Sequence, residues 1–172
     1  MKKSRVIAPV LVAVATVGLA PVSAGASVPR CTANQLKAHL GASNGAAGSI
    51  YAPIVWTNKS QTTCTLDGYP GASYVAPSSG RQVGAAATRN PQHAAGLVTI
   101  KPGGHASSLV QMADYQNYPK ANCNPTAVSG LRVYPPGSKS AEYVPFAESR
   151  KACSTGVHQL SVEAAVKGTT GM

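Results

Sequence analysis

Acidic side chains are scarce in this chain: five Asp and Glu stand against fifteen Lys and Arg in 172 residues. Hydrolysis by paired carboxylates needs two acids at a set separation, and Asp67, Asp114, Glu142, Glu148 and Glu163 are scattered singly. Asp67 falls in a turn, where its side chain can bond its own backbone, and Glu163 falls on the polar face of an alternating run. No Gly-x-Ser-x-Gly elbow presents a serine nucleophile. His39, His93, His105 and His158 occupy four different segments and lack the close pairing of a metal site; His39 reads as an exposed strand residue and His105 as a residue just after a turn. Close cysteine pairs, which zinc would need, are absent too. The basic residues form no run denser than Arg150-Lys151, whereas nucleic-acid binders gather cations on one face with aromatics between them. The expectation is a non-enzyme with no catalytic, cofactor or metal residues and no nucleic-acid partner. A solvated basic surface that lingers on the acidic polymers of a cell wall suits the charge better.

Long apolar runs are missing except at the start. Lys2, Lys3 and Arg5 precede the apolar stretch Val6 to Leu19, which falls short of the ~20 residues a membrane span needs. Ala24-Gly25-Ala26 is a small-x-small cleavage site before Ser27, and Val22-Ser23-Ala24 is a second one. Residues 1–26 are expected to be a cleavable secretory signal. Val28-Pro29-Arg30 before Cys31 is no lipobox, so a freely released protein without stable membrane insertion is expected. Removing three positive charges leaves twelve Lys and Arg against the five acids, a net of +7. Residues 27–172 are the size of one domain, able to bury close to ~70% of the unfolded surface.

What the chain does hold is a succession of short strand and turn signals. Ile50, Tyr51, Ile54, Val55 and Trp56 suit a pleated surface. Ile54-Val55-Trp56 is apolar in a row, which fits a strand covered on both faces and places Trp56 in the core. Pro53 inside that run predicts a bulge or sheet switch. Pro70-Gly71 fits a type II turn, Tyr74-Val75 a short strand, and Pro77 to Gly80 a hairpin connection. Thr32 with Gln35 caps one helical turn; Leu36 to Leu40 alternates as a strand, and Gly41 to Gly48 is a loop. Arg81 to Ala86 is expected as a strand, Thr88 to Gly96 as a loop, and Leu97 to Ile100 as a strand. Ala106, Ser108, Val110 and Met112 share one face of a longer strand, with Leu109 on the other. Asp114 to Pro125 reads as a long loop, Leu131 to Val133 and Tyr143 to Phe146 as strands. Leu160, Val162, Ala164 and Val166 alternate in a last strand, and Lys167 to Met172 reads as a frayed tail. Strands at such short intervals predict an all-β sandwich. Cys31, Cys64, Cys123 and Cys153 all lie in the exported part, and an even count there implies two disulfides in one of three connectivities.

Several segments resemble a known family. Gly48-Ser49 and Tyr51, a strand ending in Thr57-Asn58, Cys64-Thr65-Leu66 with Gly68-Tyr69-Pro70-Gly71, and Ser79-Gly80 with Gln82-Val83-Gly84 follow the pattern of the secreted actinobacterial family called domain of unknown function 4232. Ile100 to Gly104 followed by Ala106, and Leu131 to Gly137, fit it as well. The likeness covers roughly Cys31 to Val166. It implies export and a single immunoglobulin-like sandwich over 27–172 with its core at about 31–166, and it brings no activity or catalytic residues. It favours pairing Cys31 with Cys64 and Cys123 with Cys153, which also joins neighbouring segments.

For function, loops carry recognition more often than the scaffold does. Tyr115 and Tyr118, whose amphipathic rings suit an interface, mark the loop at 114–125 as a possible contact surface together with Asn122. The expected role is a secreted, non-catalytic interaction module acting on an unidentified protein or cell-wall polymer. The alternative is a protease inhibitor presenting Asn122-Cys123-Asn124-Pro125, and a hydrolase ranks last.

Overall fold

The computed structural model describes residues 27–172; the expected leader lies outside them. Thirteen strands are present among the described residues. They are β1 (Leu36–Leu40), β2 (Asn44–Ala46), β3 (Ser49–Asn58), β4 (Cys64–Asp67), β5 (Gly71–Val75), β6 (Gln82–Val83), β7 (Thr88–Arg89), β8 (Leu97–Ile100), β9 (His105–Ala113), β10 (Pro125–Tyr134), β11 (Glu142–Cys153), β12 (Leu160–Val162) and β13 (Val166–Lys167). Helix is limited to single turns: 3-10 turns at Ala33–Gln35 and Tyr115–Asn117, and α1 (Lys120–Cys123). One sheet runs β1-β3-β9-β12-β7, with β2 also on β3 and β13 also on β9; a second runs β11-β10-β5-β6; β4 pairs with β8. All these ladders are antiparallel except β7 on β12. Ile54, Trp56, Val110 and Leu160 of the first sheet share one buried cluster with Tyr74, Val128, Leu131 and Val133 of the second, which makes the fold a β-sandwich.

β3 is central because its partners lie on both sides: β9 along its whole length, β1 and then β2 on the other. Pro53 does not break it. The Pro53 carbonyl accepts from the Gly41 N–H at 2.9 Å, so its donor-less nitrogen faces the same side, away from β9. There Leu40 opposes Ile54 and Asn44 opposes Tyr51, so the extra residue lies in Gly41–Ser43. The expected bulge is therefore in the partner, where the missing N–H leaves nothing unpaired.

Asn58 closes β3 fully buried. Its amide donates to the Thr62 and Ile100 carbonyls at 2.8 and 3.0 Å and accepts from the Ser60 N–H and hydroxyl at 3.0 and 2.7 Å. Asn58→Ala strands these partners in the interior and should lower stability by about 2–4 kcal/mol, read as a lower urea midpoint at unchanged slope.

The structure corrects several expectations. The strand at Arg81 to Ala86 contracts to β6, because Gly84 turns at φ +68 with the Cys153 carbonyl where a Cβ would sit. β7 lies inside the expected loop that follows, and β2 inside the loop at 41–48. In the Leu66 to Gly71 turn the positive φ belongs to Gly68, not Gly71, which instead begins β5. β11 runs on from Phe146 to Cys153, with four residues, Phe146 to Ser149, facing only Ser129 of β10. The last strand is broken: Val162 pairs Val110 but Val166 pairs Ser107, so one extra residue lies between. That slip turns Glu163 off the expected polar face and leaves it only 7% exposed. The tail is docked, with Gly171 buried and its N–H donating to the Ser107 hydroxyl at 2.9 Å.

The helical turn after Cys31 carries its capping box. The disulfides join Cys31 to Cys64 and Cys123 to Cys153, with no free cysteine among the described residues.

Candidate functional site

The two sheets part where the β2–β3 turn, the end of β9 and the excursion of β11 meet. Ala47 and Gly48 both adopt positive φ, 47° and 70°, which suits a tight hairpin turn. The Gly48 carbonyl accepts from the Asp114 N–H and from the Asn117 side chain, both at 2.8 Å. Asp114 in turn caps the next 3-10 turn, its Oδ1 accepting from the Gln116 N–H at 2.9 Å. These contacts hold Tyr115 against the hairpin. On the other wall, the β11 excursion carries Glu148, and the Arg150 guanidinium lies 5.0 Å over the ring of Phe146, which itself lines the neighbouring cavity.

The resulting pocket holds about 620 Å³, within the usual range for small-ligand sites. Ile50, Tyr74 and Met112 line it together with Asp114, Tyr115, Glu148, Arg150 and Lys151. A neighbouring cavity of about 490 Å³ shares Met112 and Arg150 with it and runs between β1 and Tyr143 to Ala147. Its far end is strapped by Glu142, whose Oε2 accepts from the Ala38 N–H at 2.7 Å while Oε1 lies 2.6 Å from Lys37 Nζ.

Tyr74 is the telling residue. The residue is 5% exposed overall, and its ring packs edge-on against Phe146 at 6.1 Å. Tyr69, Tyr118 and Tyr143 donate their hydroxyls to backbone carbonyls, but the Tyr74 hydroxyl has no hydrogen-bond partner among the described residues. Burial pushes its pKa well above the usual tyrosine range, Arg150 pulls the other way, and Asp114 and Tyr118 add to the rise. At neutral pH it is a neutral hydroxyl, able to donate and accept.

Of the residues expected to form an interaction loop, the pocket takes Tyr115. Tyr118 is half-buried and donates to the His158 carbonyl at 3.3 Å. Asn122 is exposed outside the pocket, its carbonyl accepting from the Thr155 hydroxyl at 2.6 Å. The segment expected to serve as protease bait is helical at Asn122 and Cys123 and left-handed at Asn124, so it lacks an extended stretch. Tyr74, Arg150 and Glu148 escaped the sequence reading. Arg150-Lys151 stood out there only as the densest basic pair, with no sign of what it faces.

Glu163 belongs to a second cluster. Its carboxylate lies 2.7 Å from His93 Nδ1 and accepts from the Asn90 amide at 3.3 Å, while Tyr69 donates to the His93 carbonyl and carries Arg89 5.5 Å from its ring centre. This clasp fastens the 90–96 loop onto β12, and no serine or cysteine enters its hydrogen bonds. Among the described residues no three His, Cys, Asp or Glu side chains gather closely enough to hold a metal ion. No helix among them is long and apolar enough to cross a membrane.

This architecture defines a disulfide-stapled β-sandwich with an open pocket between its sheet edges. The family model described as Domain of unknown function (DUF4232) matches residues 31–165, and the chain belongs to that family. No curated protein and no solved structure matches the chain.

Proposed function

We propose that the protein is a secreted, non-catalytic binding module that acts outside the cell or at its envelope, and that the pocket between the sheet edges is its binding site. The observation that carries this reading is the open pocket itself, of about 620 Å³, with the Tyr74 hydroxyl, which bonds nothing among the described residues, on its wall. A hydroxyl without a protein partner at a cavity wall is free to donate to or accept from a ligand. Two disulfides suit an oxidising compartment, and the net positive charge suits acidic wall polymers.

The test is retention of the purified folded protein on purified cell wall. Retention should fall as salt rises, since screened charge contacts weaken. Tyr74→Phe should weaken it by roughly fivefold to tenfold, the loss of one buried hydrogen bond, while leaving the protein folded. Salt-independent absence from the wall would count against the envelope as its place of action. Unchanged retention by Tyr74→Phe would remove the pocket from the account.

A further inference from the structure

The pocket's charges say what kind of ligand it takes, given that it is the binding site. The chain has five acids. Three of them have side-chain partners elsewhere: Asp67 pairs with Arg30, Glu142 with Lys37, and Glu163 lies 2.7 Å from His93 Nδ1. The remaining two, Asp114 and Glu148, both line this pocket. Arg150 and Lys151 line it as well, and neither lies within ion-pair distance of a carboxylate among the described residues. Four charges, two of each sign, thus share one cavity without neutralising one another directly.

Such an arrangement disfavours a simple ion. An anion drawn to Arg150 and Lys151 meets Asp114 and Glu148, and a cation meets the converse; like charges at short range cost as much as opposite ones gain. A ligand carrying both signs satisfies both sets. The neutral Tyr74 hydroxyl adds a donor near Arg150. Ile50 and Met112 supply an apolar wall, and Ala46 to Gly48 a wall of small residues. A volume of about 620 Å³ exceeds a single small amino acid several-fold, and two or three extended residues span roughly 7–10 Å.

We propose that the pocket binds a short zwitterionic peptide, its carboxylate held by Arg150 and the Tyr74 hydroxyl and its ammonium by Glu148 and Asp114. Three probes separate the possibilities: trialanine with both termini charged, N-acetyl-trialanine with the carboxylate alone, and trialanine amide with the ammonium alone. Each is titrated into the isotopically labelled folded protein and followed by NMR. Trialanine should bind at least fivefold more tightly than either capped form, shifting resonances of Tyr74, Tyr115 and Arg150. Glu148→Gln should reduce its advantage over the acetylated peptide, and Tyr74→Phe should weaken both carboxylate-bearing probes. Equal binding of free and capped peptides overturns the zwitterion. No shift with any probe, alongside Tyr74-dependent retention on cell wall, overturns the ligand class and leaves the binding module standing. No shift and no retention overturns both.

Discussion

Serine at Cys123 and Cys153 should lower the free energy of unfolding by about 3.5 kcal/mol, and serine at Cys31 and Cys64 by a similar amount. The bridges close stretches of 30 and 33 residues, and both figures follow from the loop entropy each bridge removes from the unfolded chain. Losing both, about 7 kcal/mol, would remove about half or more of the roughly 5–15 kcal/mol typical of a folded domain. The bridges hold different things. Cys31–Cys64 fastens the first described residues onto β4, where the Cys31 N–H donates to the Thr65 carbonyl and the Thr65 N–H to the Pro29 carbonyl, at 2.8 and 2.9 Å. Cys123–Cys153 ties the end of α1 to the end of β11, two residues beyond Lys151. The second loss should therefore loosen the pocket before the rest of the fold, seen as exchange broadening at Arg150 and Lys151 in the Cys123→Ser, Cys153→Ser variant. Urea denaturation with and without reductant measures the energies; coincident midpoints would show that the bridges do not hold the fold.

Trp56→Ala should cost about 3–5 kcal/mol, the range for emptying a large core position. The indole is fully buried, and its register explains how it fits: Ala38 of β1 and Ala106 of β9 flank it directly across both ladders. Two alanines make the space that one tryptophan fills. Its Nε1 has no hydrogen-bond partner among the described residues, so Trp56→Phe removes an unsatisfied donor while keeping most of the apolar volume. That variant should stay within about 1.5 kcal/mol of the parent. Chemical denaturation of both variants decides the point; a tolerated alanine together with a damaging phenylalanine would mean that the indole N–H matters more than its bulk.

The parts of the fold legible in the sequence are those written in neighbouring residues. Ile54-Val55-Trp56 announced a doubly covered strand, the alternation from Ala106 to Met112 announced β9, and the family resemblance supplied the disulfide partners. Glu163 was misplaced because period-two spacing is blind to a one-residue slip, and that slip shows only in the ladder on β9. The tail was misjudged because its anchor, the Ser107 hydroxyl, lies on another strand. The pocket was the least legible feature. Tyr74, Tyr115 and Arg150 lie on three separate elements, and they meet only because Phe146 to Ser149 leave the β10 ladder. Of these, Tyr115 could be read ahead, because aromatics in a polar loop stand out locally.

The Glu142 strap has a bearing on how the protein behaves at high concentration. β1 is an outer strand, and outer strands with free backbone donors are templates on which another copy can add itself, the first step toward aggregation. The carboxylate already occupies the Ala38 N–H, and Lys37 sets a charge beside it. One side chain thus both ties the sheet edges together and makes that margin a poor place for a second chain to begin stacking.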